Sequence, residues 1–180
     1  AQVAIQGSCM LTSGQEDKAR ELAAACDVMT IEIEHVDTKI LSKLEASGVT
    51  IHPSPKVISI IQDKYRQKLH LAAAGVPLAE SLEVTSLESL AAVGKAFGYP
   101  YMLKAKTGAY DGNGNFVVAD EPSAAKGYAA LGSGKHGLYA ERWCPFEMEL
   151  AVMVVRSSTG EIVEYPVVET AQKNNICHTV

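Results

Sequence analysis

Residues 101–106 read YMLKAK and residues 107–115 read TGAYDGNGN, a strand-like segment running into three glycines, one aspartate and two asparagines. Asp-Gly and Asn-Gly supply the positive φ angles that two-residue hairpin turns require, so the stretch can be a tight turn between strands. The loop from Thr107 to Gly114 is longer than such a turn needs. Glycines also let backbone N–H groups approach a phosphate, and a lysine on the preceding strand adds a point charge from a fixed base. Lys104 fits that role, or it snorkels out of an apolar strand. Neither GxxxxGK[ST] nor a GxGxxG following a strand occurs, so a phosphate role calls for another nucleotide architecture.

Outward from this loop the hydrophobic rhythm defines the elements. Strands are predicted at 81–84, 101–106, 115–119 and 138–143, with helices at 86–97 (closed by Gly98) and 122–131. That order is β-α-β-β-α-β, with the glycine-rich stretch joining its two middle strands. Tyr101 and Met102 are read as core. Downstream, ELAVMVVRS, a turn at STGE and EIVEYPVV form a hairpin of a further sheet.

Upstream, the order is α-β-α-β-α, the end of a parallel α/β unit. QEDKARELAAAC is a helix with an acidic first turn. DVMTIEIEH alternates as a strand that places Glu32 and Glu34 on one face, near a substrate cleft or simply exposed. Asp37 caps a helix carrying Ile40, Leu41 and Leu44, and VTIHP is a short strand stopped by Pro53. Ser54-Pro55 is a helix start, and the run to Gly75 and Pro77 is one bent helix or two consecutive ones.

The 180 residues, 47 % of them hydrophobic, suffice for one ordinary domain or two small ones. A net charge of −5 and a pI near 5.5 leave no basic field for nucleic acid or anionic membranes. No apolar run approaches the roughly 20 residues of a membrane span, and AQVAIQGSCM lacks the basic start and long apolar stretch of a signal sequence, so a cytoplasmic location is expected. Cys9, Cys26, Cys144 and Cys177 form no CxxC pair and are expected to be reduced and mostly buried. The histidines form no metal-ligand spacing, and no protein-only transition-metal site is expected.

TIEIEHVD, PSPKVISIIQDKYRQK, FGYPYMLKAKTGAYDGNGNFVV, LYAERWCPFEMELAVMVVRS and YPVVETAQKNNICH together resemble the N5-carboxyaminoimidazole ribonucleotide synthetases, ATP-grasp enzymes of purine biosynthesis. In fungi and plants these occur as phosphoribosylaminoimidazole carboxylase. The resemblance covers residues 20 to 180 and implies an α/β ATP-grasp fold. Residues 1–53 would close a Rossmann-like preATP-grasp domain, 54–77 connect, 78–144 form the lid subdomain, and 145–180 begin the central sheet.

The implied activity uses ATP to activate bicarbonate and transfers the carboxyl group to 5-aminoimidazole ribonucleotide. On this sequence the resemblance makes Lys64 and Lys104 the basic contacts to ATP phosphates. Ala109, Tyr110, Asp111, Gly112, Asn113, Gly114 and Asn115 become a cover over the phosphates, with Tyr110 and Asp111 also near the imidazole ribonucleotide as catalytic residues. Glu141, Arg142, Trp143 and Cys144 become a hinge holding adenine through backbone groups, Glu149 a ribose-hydroxyl acceptor, and Gln172 a further nucleotide contact. Asn113, Met148 and Gln172 stand where the family commonly has arginine, lysine and histidine.

Family members begin with a glycine-rich strand-turn-helix and end with acidic Mg²⁺ ligands, neither of which is present, so the chain is read as an internal fragment. Mg²⁺ is implied as a cofactor with ligands outside this sequence, and a homodimer of the full-length form is the protein partner the resemblance allows. Two other readings stay open: a non-catalytic nucleotide- or partner-binding fragment, and another ATP-grasp carboxylate-amine ligase.

Overall fold

A computed structural model of the chain describes residues 15–109, 113–173 and 176–180. It divides into two compact units, one running to Leu78 and including Lys106–Gly108, the other made of Ala79–Ala105 and Ala109–Val180.

In the first unit, helix α1 (Glu16–Ala24) and strand β1 (Met29–Thr30) precede α2 (Thr38–Ala46) and β2 (Ile51–His52), which pairs parallel with β1. Asp37 caps α2 as its short acidic side chain dictates, its Oδ1 accepting from the amides of Lys39 (2.9 Å) and Ile40 (3.3 Å). Ile40, Leu41 and Leu44 then bury one stripe against Ala19, Met29 and Ile51. The strand expected over residues 27–35 stops at Thr30. Its only partner among the described residues, β2, has two residues and is ended by Pro53, which has no amide to donate. Glu32 and Glu34 therefore lie in bends and share no strand face.

The long helical run is two helices, α3 (Pro55–Ile61) and α4 (Lys64–Ala73). Asp63 makes the break by capping α4, accepting from the amides of Tyr65 (3.0 Å) and Arg66 (2.9 Å). Ser54 starts α3 as expected, but without a side-chain cap. Its hydroxyl makes no cap bond; its carbonyl receives the amides of Val57 and Ile58, while Pro55 has no amide to satisfy.

The second unit is built on an antiparallel sheet ordered β3-β6-β4-β5: β3 (Ser81–Val84), β4 (Tyr101–Ala105), β5 (Asn115–Val118) and β6 (Leu138–Arg142). Helices α5 (Ser89–Phe97) and α6 (Glu121–Ala130) supply Leu90, Val93, Phe97 and Ala124 to a core that takes Tyr101, Leu103, Val118, Leu138 and Ala140 from the sheet. Helix α5 begins three residues later than expected because Ser86 and Ser89 satisfy one another's amides through their hydroxyls, an alternative to the first helical turn. Asp120 and Ser123 form a reciprocal capping box on α6. Gly127 lets that helix lie against Phe116, whose ring would stand 2.6 Å from any added Cβ.

Tyr101 is fully buried, and among the described residues its hydroxyl has no hydrogen-bond partner. Burial, and then the neighbouring Tyr99, push its pKa up to about 12. An unfolded tyrosine ionises near 10, so the stability tied to the neutral buried phenol is complete below pH 10 and is lost as pH rises toward 12. At pH 11 that loss is about 1 kcal/mol. Tyr101→Phe is expected to abolish it and to leave stability at pH 7 equal or higher, because an unpaired buried donor disappears. Urea unfolding at pH 7 and pH 11 checks both signs.

The downstream strands are β7 (Glu149–Ala151), β8 (Val154–Arg156), β9 (Ile162–Glu164), β10 (Val168–Lys173) and β11 (Ile176–Thr179). The segment read as one strand, ELAVMVVRS, is two, because β7 pairs with β10 whereas β8 pairs with β9 and the chain changes partner at Val152–Met153.

Candidate functional site

Alternation along β4 creates the site. Tyr101, Leu103 and Ala105 face the helices, which leaves Met102 and Lys104 on the opposite face. Met102 and Tyr101 therefore do not share the core role expected of both: adjacent strand residues point to opposite sides, and Met102 lines a cavity. Register then sets Lys104 beside Asn115 of β5 and Met102 beside Glu141 of β6. Glu141 is thus the diagonal neighbour of Lys104, and the two close an ion pair of 3.2 Å with side chains 13 % and 27 % exposed.

These residues form part of the wall of a cavity of about 470 Å³. Ala79, Met102, Trp143 and Phe146 give it an apolar wall, while Lys104, Asn115, Glu141, Glu149 and Gln172 give it polar groups of both signs. Glu149 opens β7 opposite Thr170, and Gln172 follows two residues later on β10. Trp143 and Cys144 continue from the end of β6, where the Cys144 carbonyl accepts the amide of Phe146 at 2.9 Å. An apolar face beside one cation and several acceptors suits a ligand with a flat ring, hydroxyls and negative charge.

Of the residues singled out in the sequence, Lys104, Asn115, Glu141, Arg142, Trp143, Cys144, Glu149 and Gln172 come together here. Arg142 borders the cavity, but its guanidinium is committed elsewhere. It grips Glu80 with Nε and Nη2 (3.0 and 2.9 Å), donates to the carbonyls of Phe97 and Ala96 at the end of α5 (both 3.2 Å), and lies 4.8 Å from the centre of the Phe97 ring. Gly114 is buried, with Ala109 occupying the space a Cβ would need, and its carbonyl accepts the Ala105 amide at 2.9 Å, closing the mouth of the loop. Asn113 is exposed. Tyr110, Asp111 and Gly112 lie outside the described residues.

Lys64 belongs to the first unit, as the first residue of α4. Its amide donates to the Lys106 carbonyl at 2.8 Å, and the Lys106 ammonium sits 4.9 Å from the centre of the Tyr65 ring. Ala79, Met102 and Phe146 are the cavity residues the sequence reading did not select. Strand parity alone would have placed Met102 beside Lys104. The thiols also differ from expectation: Cys26, Cys144 and Cys177 are all exposed. Cys26 lies two residues past the end of α1 and donates to the Leu22 carbonyl, while Cys144 lines the cavity.

The chain belongs to the ATP-grasp family, whose model, described as ATP-grasp domain, matches residues 69–180. A second model, described as ribonucleotide synthetase preATP-grasp domain, matches residues 2–62. The chain is 55 % identical over 162 residues to phosphoribosylaminoimidazole carboxylase of Ogataea methanolica, covering 89 % of this chain and 30 % of the relative. Carboxyaminoimidazole ribonucleotide synthase from Aspergillus clavatus, solved with ATP, superposes with a TM-score of 0.85 at 44 % identity over 97 % of this chain and 46 % of that one. The N5-carboxyaminoimidazole synthase of the same fungus, solved with ADP and 5-aminoimidazole ribonucleotide, gives 0.82 at 45 % identity over 90 % of this chain and 41 % of that one. The chain thus spans under a third of the length of the curated relative and under half of the solved chains. The α/β ATP-grasp fold expected from the sequence is the fold of these neighbours.

Proposed function

We propose that this chain supplies the nucleotide-binding part of an ATP-dependent ligase that carboxylates 5-aminoimidazole ribonucleotide with bicarbonate in purine biosynthesis. The observation that carries the reading is the convergence of Lys104, Glu141, Glu149 and Gln172, drawn from four strands, on one cavity. The Aspergillus clavatus relatives bound to ATP, or to ADP and the imidazole ribonucleotide, support it.

In this reading a bicarbonate oxygen attacks the γ-phosphorus of ATP and ADP leaves; the ribonucleotide amine then takes the activated carboxyl group and releases phosphate. The protein contributes positioning and charge more than covalent chemistry. Lys104 holds phosphate charge from a fixed strand, with Lys64 as a second basic contact. Adenine lies against backbone groups of residues 141–144, Glu149 accepts ribose hydroxyls, and Gln172 adds a neutral contact. Residues 109–115 cover the phosphates, and Tyr110 and Asp111 approach the imidazole ribonucleotide. Residues 1–53, 54–77, 78–144 and 145–180 correspond to the preATP-grasp part, a helical connection, the lid and the start of the central sheet.

Mg²⁺ accompanies ATP in this chemistry by screening its phosphates. Among the described residues no group of three or more His, Cys, Asp or Glu side chains comes together to hold a cation, so these residues form no cage for it. The test is phosphate release from ATP by the full-length gene product. Release is expected to depend on both bicarbonate and aminoimidazole ribonucleotide. Far better turnover with another amine would overturn the substrate assignment.

A further inference from the structure

Lys104 does not reach into the cavity alone. The Glu141 carboxylate lies 3.2 Å from its ammonium, across the diagonal of the β4–β6 ladder, and is the more buried of the two side chains. Glu141 is also the penultimate residue of β6, next to Arg142, after which the chain leaves the sheet to form the Trp143–Cys144 side of the cavity. A lysine stem has four rotatable bonds, and holding its ammonium in one place costs rotamer freedom that a bound anion must otherwise recover. A carboxylate fixed on the neighbouring strand removes much of that freedom in advance.

We infer that the Glu141 side chain is a positioning residue for Lys104: it aims the ammonium at the phosphate end of the ligand and ties that aim to the strand end that borders the ring-binding side. The inference rests on the nucleotide reading above and assigns the Glu141 side chain a role apart from its backbone. The opposing electrostatic effect is explicit. A carboxylate this close to a phosphate site also repels the phosphates, so its removal would tighten anion binding if repulsion outweighed positioning. The two effects predict opposite signs.

The test measures ADP and adenosine affinity by calorimetry for the full-length gene product without substitution and with Glu141→Ala, Glu141→Gln, Lys104→Ala or the Glu141→Ala/Lys104→Ala pair. Glu141→Ala is expected to weaken ADP about tenfold, the scale of one charge-assisted contact, with adenosine affinity unchanged. Glu141→Gln, which keeps an acceptor oxygen, should lose less. The double variant should bind ADP no more weakly than Lys104→Ala, since a positioning residue has nothing left to position. Equal or tighter ADP binding by Glu141→Ala, or additive losses in the double variant, overturns the inference alone. Parallel loss of adenosine affinity also overturns it, because a general distortion of the cavity affects both ligands. Failure of the unsubstituted full-length protein to bind ADP overturns the nucleotide reading and this inference together.

Discussion

Replacing Lys104 by alanine is expected to weaken ATP binding by roughly ten- to a hundredfold, the loss of one or two charge-assisted hydrogen bonds in a partly desolvated site. Stability should change far less. The ammonium is on the cavity face of β4, its partner Glu141 retains some contact with solvent, and no core side chain is disturbed. Isothermal titration together with a thermal melt separates the two effects. A large fall in melting temperature with unchanged affinity would make Lys104 a structural residue. The salt dependence adds a further check: a phosphate contact weakens as ionic strength rises, and the substituted chain should show a shallower dependence.

Arg142→Met should act in the opposite way, lowering stability by about 1 kcal/mol, mainly through the charged hydrogen bonds it removes. Its exposed pair with Glu80 accounts for little of that. The larger share comes from the carbonyls of Ala96 and Phe97, which end α5 without further helical partners and receive the guanidinium at the negative end of the helix dipole. Methionine keeps the apolar stem over Phe97, so the loss reports the charged fork rather than burial. Faster amide exchange along α5 and β6 is the measurement. Unchanged exchange would mean that the clamp contributes nothing in solution.

Local chemistry made much of this fold readable. Asp37 before Ile40, Leu41 and Leu44 states where α2 begins and which stripe it buries, and the alternation of Tyr101, Leu103 and Ala105 states which face of β4 meets the helices. Reading failed where the outcome depended on a partner remote in sequence. DVMTIEIEH has the pattern of a long strand, but among the described residues its partner β2 offers two residues to pair with. The 149–157 run is a single strand by composition, and only the choice between β10 and β9 divides it. The site shows the same boundary. Lys104 stands out because a cation interrupts apolar residues, whereas Glu141 is an ordinary strand-end glutamate until the order β3-β6-β4-β5 sets it diagonally beside that lysine. Arg142 gives no local sign that its guanidinium is spoken for by α5, 45 positions away in the chain.

The two-sidedness of β4 also constrains how the segment can vary. Between residues 101 and 105, odd positions face the helices and even ones face the cavity, so substitutions should sort by parity. Odd-numbered changes would surface in a mutational scan as lost abundance, and even-numbered ones as altered ligand recognition in a protein that still accumulates. Insertions and deletions obey neither rule. One residue added or removed within the strand would exchange the two faces, carrying a lysine toward the core and a leucine toward the ligand, so the segment should tolerate many replacements and almost no change of length.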